Sequence, residues 1–177
     1  MPKQSELIQI LSLSAAEISP ICAAFAHHFW EKPESLFERY LQQQIAGNKM
    51  VWIAYYNNDC AGYATLVFKS EYPPFLAANI PEIMDLNVLP SFRKRGIGSA
   101  LLDCAEAHAA GVSPIVGIGV GLYGGPGGGY GAAQRLYIKR GYIPDGRGVS
   151  YNYAQAVPGE TYPLDDDLVL WLTKKLK

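Results

Sequence analysis

The sequence predicts a mixed α/β fold, a sheet covered by helices on both faces. Three observations lead there. The chain has 177 residues, 49% of them hydrophobic, enough to build one buried core. Its apolar positions recur in some stretches at every second residue and in others at helical spacing. Those stretches follow the order β-αα-βββ-α-β-α-ββ, with strands in adjacent runs and two later crossovers. No internal repeat or linker divides the sequence, so the expectation is one domain over residues 1–177.

Each element has its own signal. Leu7 to Leu13 alternates loosely, as a first strand does. A helix follows, beginning either at the capping box Ser14–Glu17 or at Ser19 with Pro20 in its first position. Its apolar face is Ile18, Ile21, Cys22, Phe25 and Phe29. A second helix starts near Pro33, buries Leu36, Phe37, Tyr40, Leu41 and Ile45, and ends at Gly47. Met50–Tyr56 and Ala61–Lys69 are strands joined by a turn at Asn57-Asn58-Asp59-Cys60. Tyr72-Pro73-Pro74-Phe75 is a loop, and Ile83–Leu89 a strand stopped by Pro90. From Ile97 to Ala110 a helix carries Ile97, Leu101, Cys104 and His108 on one face, with Gly111 at its C-terminal end. Pro114–Val120 is a buried strand. Nine of the fifteen residues from Gly117 to Gly131 are glycine. A short helix, Ala132–Arg140, ends at Gly141, and Val149–Tyr153 and Leu168–Leu172 close the sheet.

Composition excludes several classes of function. Fifteen Lys+Arg balance 16 Asp+Glu for a net charge of -1, too little positive charge for a nucleic-acid partner bound by electrostatics. No apolar run reaches the ~18 residues of a membrane helix. Gln9 and Ser12 interrupt the N-terminal apolar stretch, which makes a poor signal peptide. Cys22, Cys60 and Cys104 are odd in number and widely spaced, and no Cys/His pattern resembles a zinc site. A reduced cytoplasmic protein without a metal is expected.

The chemistry concentrates in the stretch from Leu86 to Leu101, which places a strand, the basic turn Arg93-Lys94-Arg95-Gly96-Ile97-Gly98-Ser99 and a helix start in succession. A helix N-terminus presents unpaired N–H donors and the positive end of the dipole, so it binds anions. Gly96 and Gly98 clear side chains from the approach of a phosphate, and three cations add charge. A P-loop is excluded by the missing G-K-[ST] and a dinucleotide fingerprint by the missing third glycine. The literal G-x-G-x-x-G at Gly119–Gly124 opens no helix and is set aside.

Leu86-x-Val88-x-Pro90-x-x-Arg93-x-x-Gly96-x-Gly98-x-x-Leu101 resembles the acetyl-CoA signature of the GNAT N-acetyltransferase superfamily. Ala133-Gln-Arg-Leu-Tyr137-Ile-Lys-Arg-Gly141-Tyr142 is similar to that superfamily's second signature. The resemblance implies a mostly antiparallel sheet splayed at a central strand. It also implies acetyl-CoA as acyl donor, with its pyrophosphate on the amides of Arg95, Gly96, Ile97, Gly98 and Ser99, Arg93 and Lys94 beside them. The pantetheine arm would pair with Leu86-Asn87-Val88 like an added strand. A bulge there would free the Val88 N–H to polarise the thioester carbonyl.

By the same resemblance Tyr137 protonates the departing thiolate, for which a phenol is suited; in the residues alone it is equally a core tyrosine. The proton of the attacking amine goes to Glu82, to Asp85, or to a water chain. Glu82 is otherwise a solvated strand start after Pro81. Trp30 with His28, Tyr72, Phe75 and Tyr123 lie on segments that border the acceptor in the family, and packing is the alternative role for Trp30. Asp165-Asp166-Asp167 reads as a solvated turn. Where many members carry an Asn before the second signature, this chain has Tyr130-Gly131, and the glycine segment ahead of it is expected to order on ligand binding.

The implied activity is direct acetyl transfer to a primary amine of a small molecule or protein in a ternary complex, by a monomer or homodimer. A non-catalytic acyl-CoA sensor and a transferase of larger acyl groups are the alternatives.

Overall fold

The computed structural model describes residues 7–125 and 128–176. The start of the N-terminal stretch judged above and Pro126-Gly127 of the glycine segment lie outside the described residues. In chain order the elements are β1 (Ile8–Ser12), α1 (Ala15–His27), α2 (Glu34–Ile45), β2 (Lys49–Tyr56), β3 (Asp59–Val67) and α3 (Pro73–Ala77). They continue with β4 (Glu82–Val88), a 3-10 turn at Pro90–Phe92, α4 (Ile97–Ala110), β5 (Ile115–Gly121), β6 (Gly124–Gly125) and β7 (Gly128–Gly129). Last come α5 (Gly131–Lys139), β8 (Ile143–Tyr151), β9 (Ala154–Gln155) and β10 (Leu168–Lys175). The fold is mixed α/β with a mostly antiparallel sheet and one parallel pair, β4 with β5.

The chain divides into two compact units, one formed by residues through Val67 with Met84–His108, the other by Phe68–Ile83 with residues from Ala109 onward. In the first, strands run β1-β2-β3-β4. Phe25 of α1 and Phe37 of α2 both meet the Tyr63 ring of β3, at 5.4 and 5.2 Å, and Ile21, Val51, Ile53 and Leu89 complete the core. Such aromatic pairs contribute ~0.5–1.5 kcal/mol each beyond area burial. Gln44 ties the end of α2 to the sheet, donating to Leu13 O at 2.9 Å and accepting from Val51 N at 3.0 Å.

In the second unit the order is β4-β5-β10-β8-β9, with Glu82 opposite Gly117 and Ile83 opposite Ile118. Its aromatic centre is Tyr72, Phe75 and Trp171. Tyr72 stacks on Trp171 at 4.2 Å, and the Phe75 ring occupies the space a Cβ on Gly117 would need. Trp171 Nε1 donates to Ser150 Oγ at 2.7 Å, so this buried indole keeps a partner.

Several expectations are corrected. Of the two starts offered for α1 the first holds, with Ser14 as N-cap ahead of Ala15 and Pro20 inside the helix, but Ser14 makes no side-chain cap bond; the Ser19 hydroxyl donates to Glu34 Oε1 at 2.8 Å. The hairpin between β2 and β3 turns on two residues, Asn57 and Asn58, both at positive φ, the conformation asparagine tolerates in such turns. Residues 73–77 form a short helix rather than a loop, with proline in its first turn, where no N–H is needed. The buried face of α4 is Ile97, Leu101, Leu102, Ala105 and Ala109. Cys104 is half-buried and His108 exposed, its ring edge-on to Trp52 at 5.6 Å. Strand β8 begins six residues before the expected Val149, at Ile143.

Candidate active site

In the first unit β4 supplies Met84–Val88, all half-buried. Asp85 interrupts its extended backbone at φ 52°, in the left-handed region where a strand kinks. Gly62 of β3 lies so close that a Cβ there would stand 2.1 Å from Asn87 O and 3.0 Å from Val88 Cα. After the 3-10 turn, Lys94 and Gly96 both take positive φ, 61° and 84°. That reversal carries the chain into α4, whose first ladder bond runs from Ala100 N to Gly96 O at 3.0 Å. The amides of Ile97, Gly98 and Ser99 therefore precede the ladder, as helix-start donors do.

The cations of this turn are placed differently. Arg93 Nε donates to Val88 O at 3.1 Å, tying the turn to the end of β4. Arg95 lies over the Tyr56 ring at 4.8 Å and donates to its hydroxyl at 3.1 Å. Lys94 is exposed at the tip. Arg93 thus links the turn at residues 93–99 to the end of β4, where Leu86, Asn87 and Val88 lie. A helix start, two glycines and three exposed cations fit the diphosphate of coenzyme A.

Asp85 is surrounded. Its Oδ2 accepts from Tyr40 OH at 2.8 Å and Thr65 Oγ1 at 3.3 Å, and its carbonyl accepts from Asn87 Nδ2 at 3.0 Å. Lys49, itself buried, holds its ammonium 4.0 Å from the Tyr40 ring centre. Burial first, then the Asp85 charge, pushes the Tyr40 phenol well above the usual range, and the Tyr63 phenol likewise. Trp30 is half-buried on Phe25 at 5.3 Å, with Lys32 over its ring. His28 Nε2 lies 3.2 Å from Ser91 Oγ, and the neighbouring Phe29 is 98% exposed at φ 55°.

In the second unit Glu82 is 3% exposed, not a solvated strand start. Ser70 donates to Glu82 Oε2 at 2.5 Å and accepts from Tyr72 N at 3.0 Å. Tyr72 and Phe75, expected to border an acceptor, are packed in the aromatic centre, and Tyr72 OH donates to Asp145 Oδ2 at 2.9 Å. Tyr137 is 5% exposed, and burial raises its phenol above the usual range. Tyr123 and Tyr130 both donate to Asp166 Oδ1, at 2.7 and 2.9 Å. The Tyr130 ring fills the space beside Gly121, and Gln134 Nε2 donates to Gly121 O at 2.8 Å. The glycine segment is thus anchored at its base by side chains. Asp165 also accepts, from Tyr151 OH at 3.1 Å, so this acidic turn is bonded rather than merely solvated.

Sequence reasoning missed Tyr40, Thr65 and Ser70, which reach the two carboxylates from 45, 20 and 12 residues away. No local pattern marks such contacts. The weak signal for the kink was the identity of Asp85 itself, since aspartate tolerates positive φ better than most residues. Among the described residues no helix is long and apolar enough to cross a membrane, and no group of His, Cys, Asp or Glu is arranged to hold a metal.

Comparison with known proteins follows the same lines. Among curated proteins no sequence relative matches. An N-acetyltransferase from Staphylococcus aureus Mu50 superposes with a TM-score of 0.69 at 16% identity, covering 97% of this chain and 99% of that one. The Salmonella typhimurium protein yncA, solved with its cofactor acetyl-CoA, gives 0.67 at 16% identity over 96% and 94% of the two chains. The Salmonella typhimurium acetyl transferase that modifies the N-terminal serine of ribosomal protein L7/L12 gives 0.70 at 12% identity over 99% and 98%. At these identities the likeness is one of fold. The family model of the acetyltransferase (GNAT) family matches residues 18–142, which takes in both signatures, the kinked strand and the cationic turn, and the chain belongs to that family.

Proposed function

We propose that this chain, acting as one domain over residues 1–177, transfers the acetyl group of acetyl-CoA directly to a primary amine of a small molecule or protein. The observation that carries the reading is the turn at residues 93–99. There the positive φ of Lys94 and Gly96 aims the chain into α4 and leaves the amides of Ile97, Gly98 and Ser99 ahead of the helix ladder. Those amides with Arg95 N and Gly96 N hold the diphosphate, flanked by Arg93 and Lys94.

Acetyl-CoA supplies an activated thioester. The backbone of Leu86, Asn87 and Val88 aligns the pantetheine arm, and Val88 N–H donates to the carbonyl oxygen as negative charge develops there. Glu82 accepts the amine proton, directly or through water, its carboxylate oriented by Ser70. Tyr137 Oη gives its proton to the departing sulfur; its raised phenol pKa keeps that proton in place at neutral pH. Trp30, Tyr72, Phe75 and Tyr123 are proposed as the residues that border the acceptor. The reaction takes place in the cytoplasm, in a monomer or homodimer.

A thiol-release screen with acetyl-CoA against amines, aminoglycosides, polyamines and peptides tests this reading. Peptides with a free N-terminus belong in the panel because one protein of similar fold modifies an N-terminal serine. Free thiol with a matching acetylated product supports it. Coenzyme A binding without turnover across the panel would make the chain an acyl-CoA sensor, and turnover confined to longer acyl donors would change the donor.

A further inference from the structure

Glu82 and Asp85 both offer a carboxylate from β4, and the surroundings of Asp85 assign it a different task. It is the residue of β4 at positive φ. Its side chain is anchored twice, by Tyr40 OH at 2.8 Å and Thr65 Oγ1 at 3.3 Å. Its carbonyl takes the Asn87 amide at 3.0 Å. Tyr40 and Lys49 hold the far side, the ammonium over the ring at 4.0 Å. From the remaining side Gly62 lets β3 approach Asn87 O and Val88 Cα at a distance no other residue permits. Here one carboxylate oxygen holds two hydroxyls, one donated by a phenol that burial and the Asp85 charge keep protonated.

We propose that Asp85 is a positioning residue, fastened by Tyr40 and Thr65, which holds the β4 kink so that the Asn87 and Val88 backbone is presented in one fixed register. This rests on the reading above that β4 aligns the pantetheine arm, and it assigns the base role to Glu82 or water rather than to Asp85. What the kink requires is a side-chain acceptor and a residue content at positive φ; it does not require a negative charge. Asparagine meets both conditions and alanine neither.

The test compares Asp85→Asn, Asp85→Ala and Tyr40→Phe with the unaltered protein. Hydrogen exchange of the ligand-free proteins reads the peptide covering residues 83–89, calorimetry reads coenzyme A affinity, and thiol release reads kcat and KM across pH. Asp85→Asn is expected to keep slow exchange, coenzyme A affinity within a few-fold and an unchanged pH profile. Asp85→Ala is expected to speed exchange in that peptide and to lose roughly 10²-fold in kcat/KM, as misplacement of a reacting group by about 1 Å does. Tyr40→Phe should fall between them. If Asp85→Asn exchanges as the unaltered protein does yet abolishes turnover and removes a limb of the pH profile, Asp85 is the base and the proposal is overturned. Equal exchange in Asp85→Ala overturns it as well. Failure of the unaltered protein to bind coenzyme A or acetylate any amine counts against the proposed function instead, and leaves the exchange readout to decide the role of Asp85 in the kink.

Discussion

Gly62→Ala places a single methyl group against the backbone of β4. An ideal Cβ on Gly62 stands 2.1 Å from Asn87 O, 3.1 Å from Asn87 C and 3.0 Å from Val88 Cα. The atoms it meets belong to main chain, so no rotamer change can relieve the contact. Gly62 is itself paired with Ala54 on β2, which limits the retreat of β3. The yielding element is therefore β4, by about 1 Å, a displacement worth on the order of 10²-fold in rate when it moves a donor such as Val88 N–H. Overpacking of this kind costs about 1–3 kcal/mol, which lowers Tm by about 2–4 °C per kcal/mol in a chain of this size. Thermal melting and coenzyme A calorimetry, followed by thiol release, measure the two effects separately. A variant that melts with the unaltered protein and keeps its coenzyme A affinity and turnover would refute the argument that the Asn87–Val88 backbone is held in register by β3.

Further outcomes are expected. Tyr137→Phe should lower kcat by roughly 10²–10⁴-fold with coenzyme A affinity nearly unchanged, and unaltered turnover removes it as the acid. Because burial raises the Tyr137 phenol, its neutral form persists past the ordinary pKa of ~10, so no loss of activity below that pH should vanish in the Phe variant. Gly98→Asp puts a carboxylate at the helix start and should abolish coenzyme A binding in calorimetry; retained affinity displaces the proposed diphosphate site. Burial pushes the Cys60 thiol from 9.0 up to about 12. The folded state then holds a proton that the unfolded state releases, so its stabilising contribution is complete below pH 9.0 and is lost between 9.0 and about 12. Denaturant titrations compared between the unaltered protein and Cys60→Ala across that window should show it, and a constant difference would contradict it.

What the sequence disclosed, and what it withheld, follows from the range of the interactions. Helix α4 was legible to the residue, because apolar spacing and a terminal glycine are local signals. The turn at 93–99 was legible for the same reason, two glycines and three cations lying within seven residues. The face that α4 buries was misread at Cys104 and His108, because a helical stripe several residues wide can be rotated by one position without violating the pattern. The packing of Tyr72 and Phe75 was not legible for a different reason. Their partner Trp171 lies about a hundred residues downstream, and no period in the sequence connects them. The bonds of Tyr130 to Asp166 and of Gln134 to Gly121 O, beside a glycine that leaves room for the Tyr130 ring, had no local signal either.

The two carboxylates of β4 show how environment, rather than residue type, divides chemical work. Both are acidic and both were candidates for the same proton. Glu82 is buried with Ser70 donating to one oxygen, and Ser70 is in turn fixed by Tyr72 N. The Ser70 hydroxyl orients the Glu82 carboxylate, which suits a base whose task is brief and directional. Asp85 receives two hydroxyls on one oxygen and returns its own carbonyl to Asn87, at a backbone angle most residues avoid. The oxygen that Tyr40 and Thr65 hold is tied into the scaffold, and the kink asks of it an acceptor rather than a change of charge. Glu82→Gln should therefore leave exchange of residues 83–89 slow while lowering kcat. Asp85→Ala should speed that exchange as well as lose turnover, and equal exchange in the two variants would remove the distinction.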